Sequence, residues 1–262
     1  MLAAWHAGDR AAGRRSRARR PGDDDFLNRI VHLPEVGSTN DWIAAAIDRG
    51  EPDGLWVRAD RQTAGRGRRG RHWVSEAGNL FTSTLIRPQE GEGPRPQLSF
   101  VAALAMHDMA ARFAARERLS LKWPNDVLLD GVKCTGILLE GRGEAVILGI
   151  GVNLSHHPEG TERAATSFPA AGLPAPDPAK AAEALAAAFA DRRRIWREQG
   201  FAPVRAAWLD RTLHREGDRM AARLPGETRT GRYAGLDEKG ALRLRREDGR
   251  IDLIGSGEVF AL

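Results

Sequence analysis

The chain has 262 residues, 42% hydrophobic and 29% charged, enough for one large domain or two smaller ones and incompatible with overall disorder. No apolar run approaches the ~20 residues of a membrane-spanning helix, no secretory signal opens the chain, and the lone Cys134 excludes a disulfide framework or cysteine-rich zinc site, so a soluble, cytoplasmic protein is expected. The net charge of +5 is concentrated: residues 1–25 carry six arginines against four aspartates, residues 65–73 carry four arginines and no acid, and the remainder is close to neutral.

In chain order, residues 1–25 alternate small and basic residues without apolar periodicity and read as a disordered leader, too short for a helix-turn-helix domain. Order is expected from Phe26. Ser38-Thr39-Asn40 is a helix-start signal, with Trp42, Ala46 and Ile47 on one face and Gly50 at the end. Residues 55–60 and 80–86 read as strands, and Leu98, Val101, Ala105, Met109 and Phe113 predict an amphipathic helix over 97–117. Residues 119–123, 127–129, 133–140 and 144–154 suggest neighbouring strands, two of the links being short enough for antiparallel pairing. Asp177-Pro178 opens an alanine-rich helix to Gln199 that buries Leu185, Phe189 and Trp196, and a further helix is expected over 201–213. After His214 five short alternating segments separated by glycine-containing turns suggest a small barrel.

Three motifs carry chemistry. The loop GRGRRGRHW at 65–73 follows a strand; its glycines let peptide N–H groups approach an anion, and its arginines match phosphate or carboxylate. It is neither a Walker A loop nor a dinucleotide fingerprint, and on composition alone a nucleic-acid-binding loop is open as well. KWPND at 122–126 gathers Lys122, Asn125 and Asp126 around a proline, which serves a turn or a site equally. In KCTGILLE at 133–140, Lys133 stands at a strand entrance close to Gly136, where a ligand could approach the backbone. Only four of the 40 basic residues are lysines, which gives Lys122 and Lys133 added interest. GIGVNL at 149–154 ends a strand on Asn153. Cys134, with no histidine partner nearby, reads as a packed residue, and His156-His157 as surface without metal-ligand spacing.

The order of these segments, STN at 38–40, Q-x-A-GRGRRGR-x-W from Gln62 to Trp73, KWPND, KCTGILLE and GIGVNL, resembles the biotin protein ligase family over roughly residues 30–262. The resemblance implies an α+β fold: a mixed, largely antiparallel sheet with flanking helices, like a class II synthetase, over residues 26–214, and an SH3-like barrel over 215–262. It implies a two-step reaction in which the biotin carboxylate attacks the α-phosphate of ATP, and a lysine of a biotin carboxyl carrier domain then displaces AMP. Both substrates are anionic and Mg²⁺ is expected with them. On this resemblance Ser38, Thr39, Asn40, Gln62, Arg66, Gly67, Arg68, Lys133 and Gly136 bind biotin. Arg66, Arg68, Arg71, Trp73, Asn125, Lys133 and Asn153 bind the nucleotide, and Lys133 and Arg68 are the catalytic pair. Asp126 is left between supporting Mg²⁺ and fixing its turn.

Larger members of the family carry an N-terminal DNA-binding domain; with only a short leader here, a monofunctional ligase without specific DNA binding is expected. A homodimer and carrier docking are both open for an exposed strand, and no membrane partner is expected. The rival readings are a lipoate or octanoate ligase or transferase of the same fold and, more remotely, a nucleic-acid-binding protein using the arginine-rich tail and loop.

Overall fold

The computed structural model describes residues 29–67, 70–160 and 164–262. The expected leader, the catalytic role given to Arg68 and the neighbouring Arg69 all lie outside the described residues. Among the described residues no helix is long and apolar enough to cross a membrane.

A five-stranded mixed sheet organises the larger part of the chain, in the order β1-β2-β3-β8-β7. It comprises β1 (Ile30–Val36), β2 (Trp56–Gln62), β3 (Leu80–Ile86), β7 (Thr135–Arg142) and β8 (Ala145–Val152). β1 runs parallel to β2 because α1 (Thr39–Asp48) makes the crossover between them; the other neighbours are antiparallel. Every residue of β3 is buried, and β8 is buried nearly throughout, as expected for central strands covered on both faces.

Strand parity divides the core. Leu80 and Ile86 of β3, with Val146, Leu148, Ile150 and Val152 of β8, join α2 (Leu98–Ala110) and α3 (Pro178–Gln199) in the main apolar cluster. On the opposite face Leu85, Ala145 and Ile147 meet Ile43 and Ala46 of α1. The alternation of period two therefore sends one set of side chains to the paired helices and the other to α1.

Several expected elements differ in extent. The helix expected over 97–117 stops at Ala110, and a turn carries the chain to a short helical turn at Arg116–Arg118. Phe113 still packs against the core, edge-on to Phe168, which explains why its spacing imitates a longer helix. KCTGILLE is two strands: Val132–Lys133 is β6, the edge of a small sheet with β4 (Leu119–Lys122) and β5 (Asp126–Leu129), whereas Thr135 begins β7 in the large sheet. Cys134 sits at the switch, fully buried, with its backbone N–H on Val127 and its carbonyl receiving the N–H of Asn153. The helix expected over 201–213 ends earlier, as α4 (Phe201–Asp210).

The last five strands are β9 (Arg219–Leu224), β10 (Glu227–Leu236), β11 (Leu242–Arg245), β12 (Ile251–Ile254) and β13 (Glu258–Ala261). They form one antiparallel sheet in the order β12-β11-β10-β9-β13. Its apolar face, including Met220, Leu236, Leu242 and Val259, is continuous with the main core. The junction is specific: the Trp123 indole N–H donates to the Gly240 carbonyl at 3.1 Å, and Arg205 donates to the Leu236 carbonyl. Gly240 has φ +92° and packs so closely on Phe100 that a Cβ there would stand 2.7 Å from the ring, so a side chain is excluded on both counts.

Candidate active site

A cavity of about 330 Å³ lies where the N-terminus of α1, the segment after β2, β7 and β8 converge, with Glu258 of β13 on its wall. Its floor follows from strand parity. On the α1 face of the sheet, Ala145 and Ile147 of β8 support α1, and the next two positions on that face are Gly149 and Gly151. Their partners across β7 are Leu138 and Gly136. The missing side chains hollow out the sheet, and Trp73 and Asn40 occupy the space. A Cβ on Gly151 would stand 2.6 Å from the Trp73 ring and one on Gly136 2.8 Å from it, while one on Gly149 would collide with the Asn40 amide. The indole N–H of Trp73 is buried and has no hydrogen-bond partner among the described residues.

Polar groups line one end. Ser38 is the residue before the first turn of α1, but its hydroxyl makes no capping bond and it borders the cavity. The Thr39 amide donates to Gln62 Oε1 at 2.8 Å, and this fixes the Gln62 amide so that Nε2 donates to Ser75 Oγ at 3.1 Å. Ser75 in turn donates to the Trp73 carbonyl at 2.8 Å, tying the loop to the head of the helix. Gly67 receives its shape from a pair of backbone bonds: its own N–H reaches the Arg71 carbonyl and the Trp73 N–H reaches Gly65.

Cations also line the cavity, each matched by a carboxylate from a different element. Lys133 Nζ is 2.6 Å from Asp126 Oδ1; the aspartate side chain is only 7% exposed, the lysine 26%. Arg66 makes a two-pronged pair with Asp41 of α1 at 2.8 and 2.6 Å, and its guanidinium holds the Asp41 carboxyl below the usual carboxylate range. Arg71 reaches the buried Glu258 at 2.6 Å, joining the loop to the C-terminal sheet. The described part of the cavity is therefore close to neutral.

Of the residues expected in the site, Ser38, Thr39, Asn40, Gln62, Arg66, Gly67, Arg71, Trp73, Asn125, Lys133, Gly136 and Asn153 all border this one cavity. The amides of Asn125 and Asn153 are engaged with backbone, donating to the carbonyls of Ile137 at 2.5 Å and Thr166 at 3.0 Å. Asp126 is the ion-pair partner of Lys133. Cys134 is packed, and burial pushes its thiol up to about 12, so it stays protonated. His156 and His157 bond to the Ala77 carbonyl and to Ser167. Sequence reasoning missed Asp41, Ser83, Glu140 and Glu258, whose partners are remote in sequence, and Ser75, which joins Gln62 to the Trp73 carbonyl. Only Ser83, a hydroxyl on the α1-facing parity of an apolar strand, left a readable sign.

The chain is similar to known proteins over most of its length. Residues 36–155 match the Biotin/lipoate A/B protein ligase family and residues 217–262 the Biotin protein ligase C terminal domain. The chain is 44% identical over 239 residues to a biotin--[acetyl-CoA-carboxylase] ligase of Paracoccus denitrificans, covering 87% of this chain and 98% of that protein. It is 33% identical to the bifunctional ligase/repressor BirA of Bacillus spizizenii, over 88% of this chain and 73% of that one. Its structure is similar to that of the biotin protein ligase from Aquifex aeolicus in complex with biotin and ATP, with a TM-score of 0.78 at 30% identity, covering 89% and 99% of the two chains. With a relative 44% identical over 98% of its length and a solved structure matched over 99% of its own, the chain belongs to the biotin protein ligase family.

Proposed function

We propose that this cavity joins biotin to ATP and then passes the biotinyl group to a carrier lysine. The observation that carries the reading is the union of two ends in one pocket: a glycine-floored slot with the Thr39–Gln62 amide pair at its head, and Lys133 beside a buried carboxylate at its foot. The slot suits an apolar bicyclic ring with a polar edge, and the cationic end suits a carboxylate meeting a triphosphate.

In the first step a biotin carboxylate oxygen attacks the α-phosphorus; the P–O bond to the β-phosphate breaks and pyrophosphate leaves. Lys133 stabilises charge on the transferring phosphoryl group and keeps the two anions together. Asp126 aims its ammonium, and Arg66 and Arg71 turn from Asp41 and Glu258 toward the ligand. In the second step a carrier lysine amine attacks the acyl carbon, AMP leaves with the C–O bonding pair, and the amine loses a proton as the amide forms. Trp73, resting on Gly136 and Gly151, shields the mixed anhydride from water. Arg68 is proposed to assist at the phosphate.

Among the described residues no group of three or more histidine, cysteine, aspartate or glutamate side chains gathers into a metal site, and Asp126 is already neutralised by Lys133. The described residues thus build no magnesium cage of their own; magnesium arriving with the nucleotide would be held chiefly by phosphate oxygens and would supply charge neutralisation there. We assign residues 26–214 to catalysis and 215–262 to the small sheet that closes the pocket through Glu258. The substrate protein is a biotin carboxyl carrier domain in the cytoplasm.

The test is incubation of the full chain with ATP, a carrier domain and labelled biotin, lipoate or octanoate. Transfer of biotin alone is expected; transfer of lipoate or octanoate in its place overturns the reading. Lys133→Ala should fold and lose adenylate formation by about 10²–10³-fold, measured as biotin-dependent pyrophosphate release.

A further inference from the structure

Strand β3 carries three consecutive hydroxyls, Thr82, Ser83 and Thr84, all buried. Thr82 and Thr84 donate to the backbone carbonyls of Val57 on β2 and of Leu55 just before it, at 2.7 and 3.0 Å, an ordinary way to satisfy a buried hydroxyl. Ser83 differs. Parity turns it to the α1 face, where its Oγ is 2.6 Å from Asn40 Oδ1 and 2.7 Å from Thr39 Oγ1. It does not itself line the cavity.

The directions of these bonds are fixed from one end. Asn40 Nδ2 donates to Glu140 Oε2 at 2.5 Å, and a carboxylate oxygen can only accept. The Asn40 amide is thereby oriented with Oδ1 toward Ser83. Ser83 has one proton, and Asn40 Oδ1 takes it. Its oxygen then accepts at 2.7 Å from the Thr39 hydroxyl. Thr39 Oγ1 also lies 3.0 Å from Gln62 Oε1, which has a second lone pair to offer, but the 2.7 Å pair of Ser83 and Thr39 oxygens needs a proton between them, and with the Ser83 proton on Asn40 that proton is Thr39's. With its only proton directed inward, Thr39 Oγ1 offers lone pairs to the cavity.

We propose that Glu140, Asn40 and Ser83 form a one-directional hydrogen-bond relay that makes Thr39 an obligate acceptor, so that the head of the pocket selects a ligand N–H. Ser83 and Glu140 are positioning residues: neither borders the cavity, and both act through Thr39 and Asn40. The relay rests on the biotin reading and deepens it, because a cyclic urea presents an N–H where a carbonate, lactone or thioether ring does not. A site built to accept a proton rejects a ligand that brings a lone pair instead, since two acceptors then face each other in a water-poor pocket.

The experiment compares binding of biotin with its two carbamate isosteres, each having one ureido N–H replaced by oxygen. The proteins are wild type, Ser83→Ala and Glu140→Gln, with thermal unfolding and ATP KM measured alongside. Wild type is expected to prefer biotin over the more weakly bound isostere by tenfold or more. In Ser83→Ala the Thr39 hydroxyl loses its shorter partner, keeps only the 3.0 Å contact to Gln62 Oε1 and can turn its proton outward, and the preference should shrink to threefold or less while the ATP KM stays within twofold. Glu140→Gln, isosteric and partly exposed, removes the acceptor-only end and should shrink the preference in the same direction even if Ser83→Ala fails to fold. A merely structural role would weaken biotin and isostere alike and leave their ratio intact, which overturns the relay. Wild type that binds no biotin overturns both the relay and the function on which it rests.

Discussion

Arg66 and Asp41 are 39% and 58% exposed, so their pair contributes only about 0–1 kcal/mol despite its two-pronged geometry. That small value suits a cation that has to exchange partners when an anion arrives. Asp41→Asn is expected to leave the melting temperature almost unchanged and to tighten ligand binding a few-fold, most at low salt, as read by calorimetric titration. Looser binding would assign Asp41 a holding role instead. Gly151 is more exacting. Alanine there places a methyl 2.6 Å from the Trp73 ring, so the indole must leave the floor of the cavity. Gly151→Ala should weaken biotin binding at least tenfold with a visible change in tryptophan fluorescence; binding at wild-type strength would show that Trp73 is not needed in this place. None of this was readable from GIGVNL, because spacing marks a glycine but not the ring that fills the space above it.

At the scale of elements, the junction of the two sheets turns on the β4–β5 link. Trp123 precedes the Asn125 and Asp126 that border the cavity, and its indole N–H holds the turn between β10 and β11. Trp123→Phe keeps the ring but orphans a buried carbonyl, which should cost about 1–3 kcal/mol in urea unfolding. An unchanged midpoint would show that the ring alone fastens the junction. The KWPND motif was legible as a motif, yet its service to the C-terminal sheet was not, since Gly240 lies over a hundred residues away. KCTGILLE failed differently: eight residues of good strand composition are divided between two sheets, and only their different hydrogen-bond partners reveal the division.

For the whole molecule, acid sensitivity falls at the same junction. His214 is buried against Tyr233, and burial, aided by the nearby Lys122 charge and opposed by Asp218, pushes its imidazole below the usual range. The unfolded chain then binds this proton more readily than the folded one. The associated stability is complete above about pH 6.5 and is lost as pH falls from there toward the lowered folded value. Melting temperature should therefore decline between about pH 7 and 5, and His214→Gln should flatten that decline. An equal slope in the variant would place the sensitivity elsewhere. Asp108, lowered to about 2 through the His107 and Arg192 partners that outweigh its burial, keeps its charge throughout this range.

Local patterning was sufficient for much of the molecule. Periodicity placed α3 and its buried Leu185, Phe189 and Trp196, the run of β3, and five short strands at the C-terminal end, because those residues are chosen by the faces they must bury. The motif series was likewise enough to collect twelve described residues that prove to share one cavity. Tertiary structure alone decided which carboxylate meets each cation, which way the Thr39 hydroxyl points, and where KCTGILLE changes sheets. The reason is physical: a face or a turn is set by neighbours within a few residues, whereas ion pairs and the direction of a proton depend on groups that only folding brings within 3 Å.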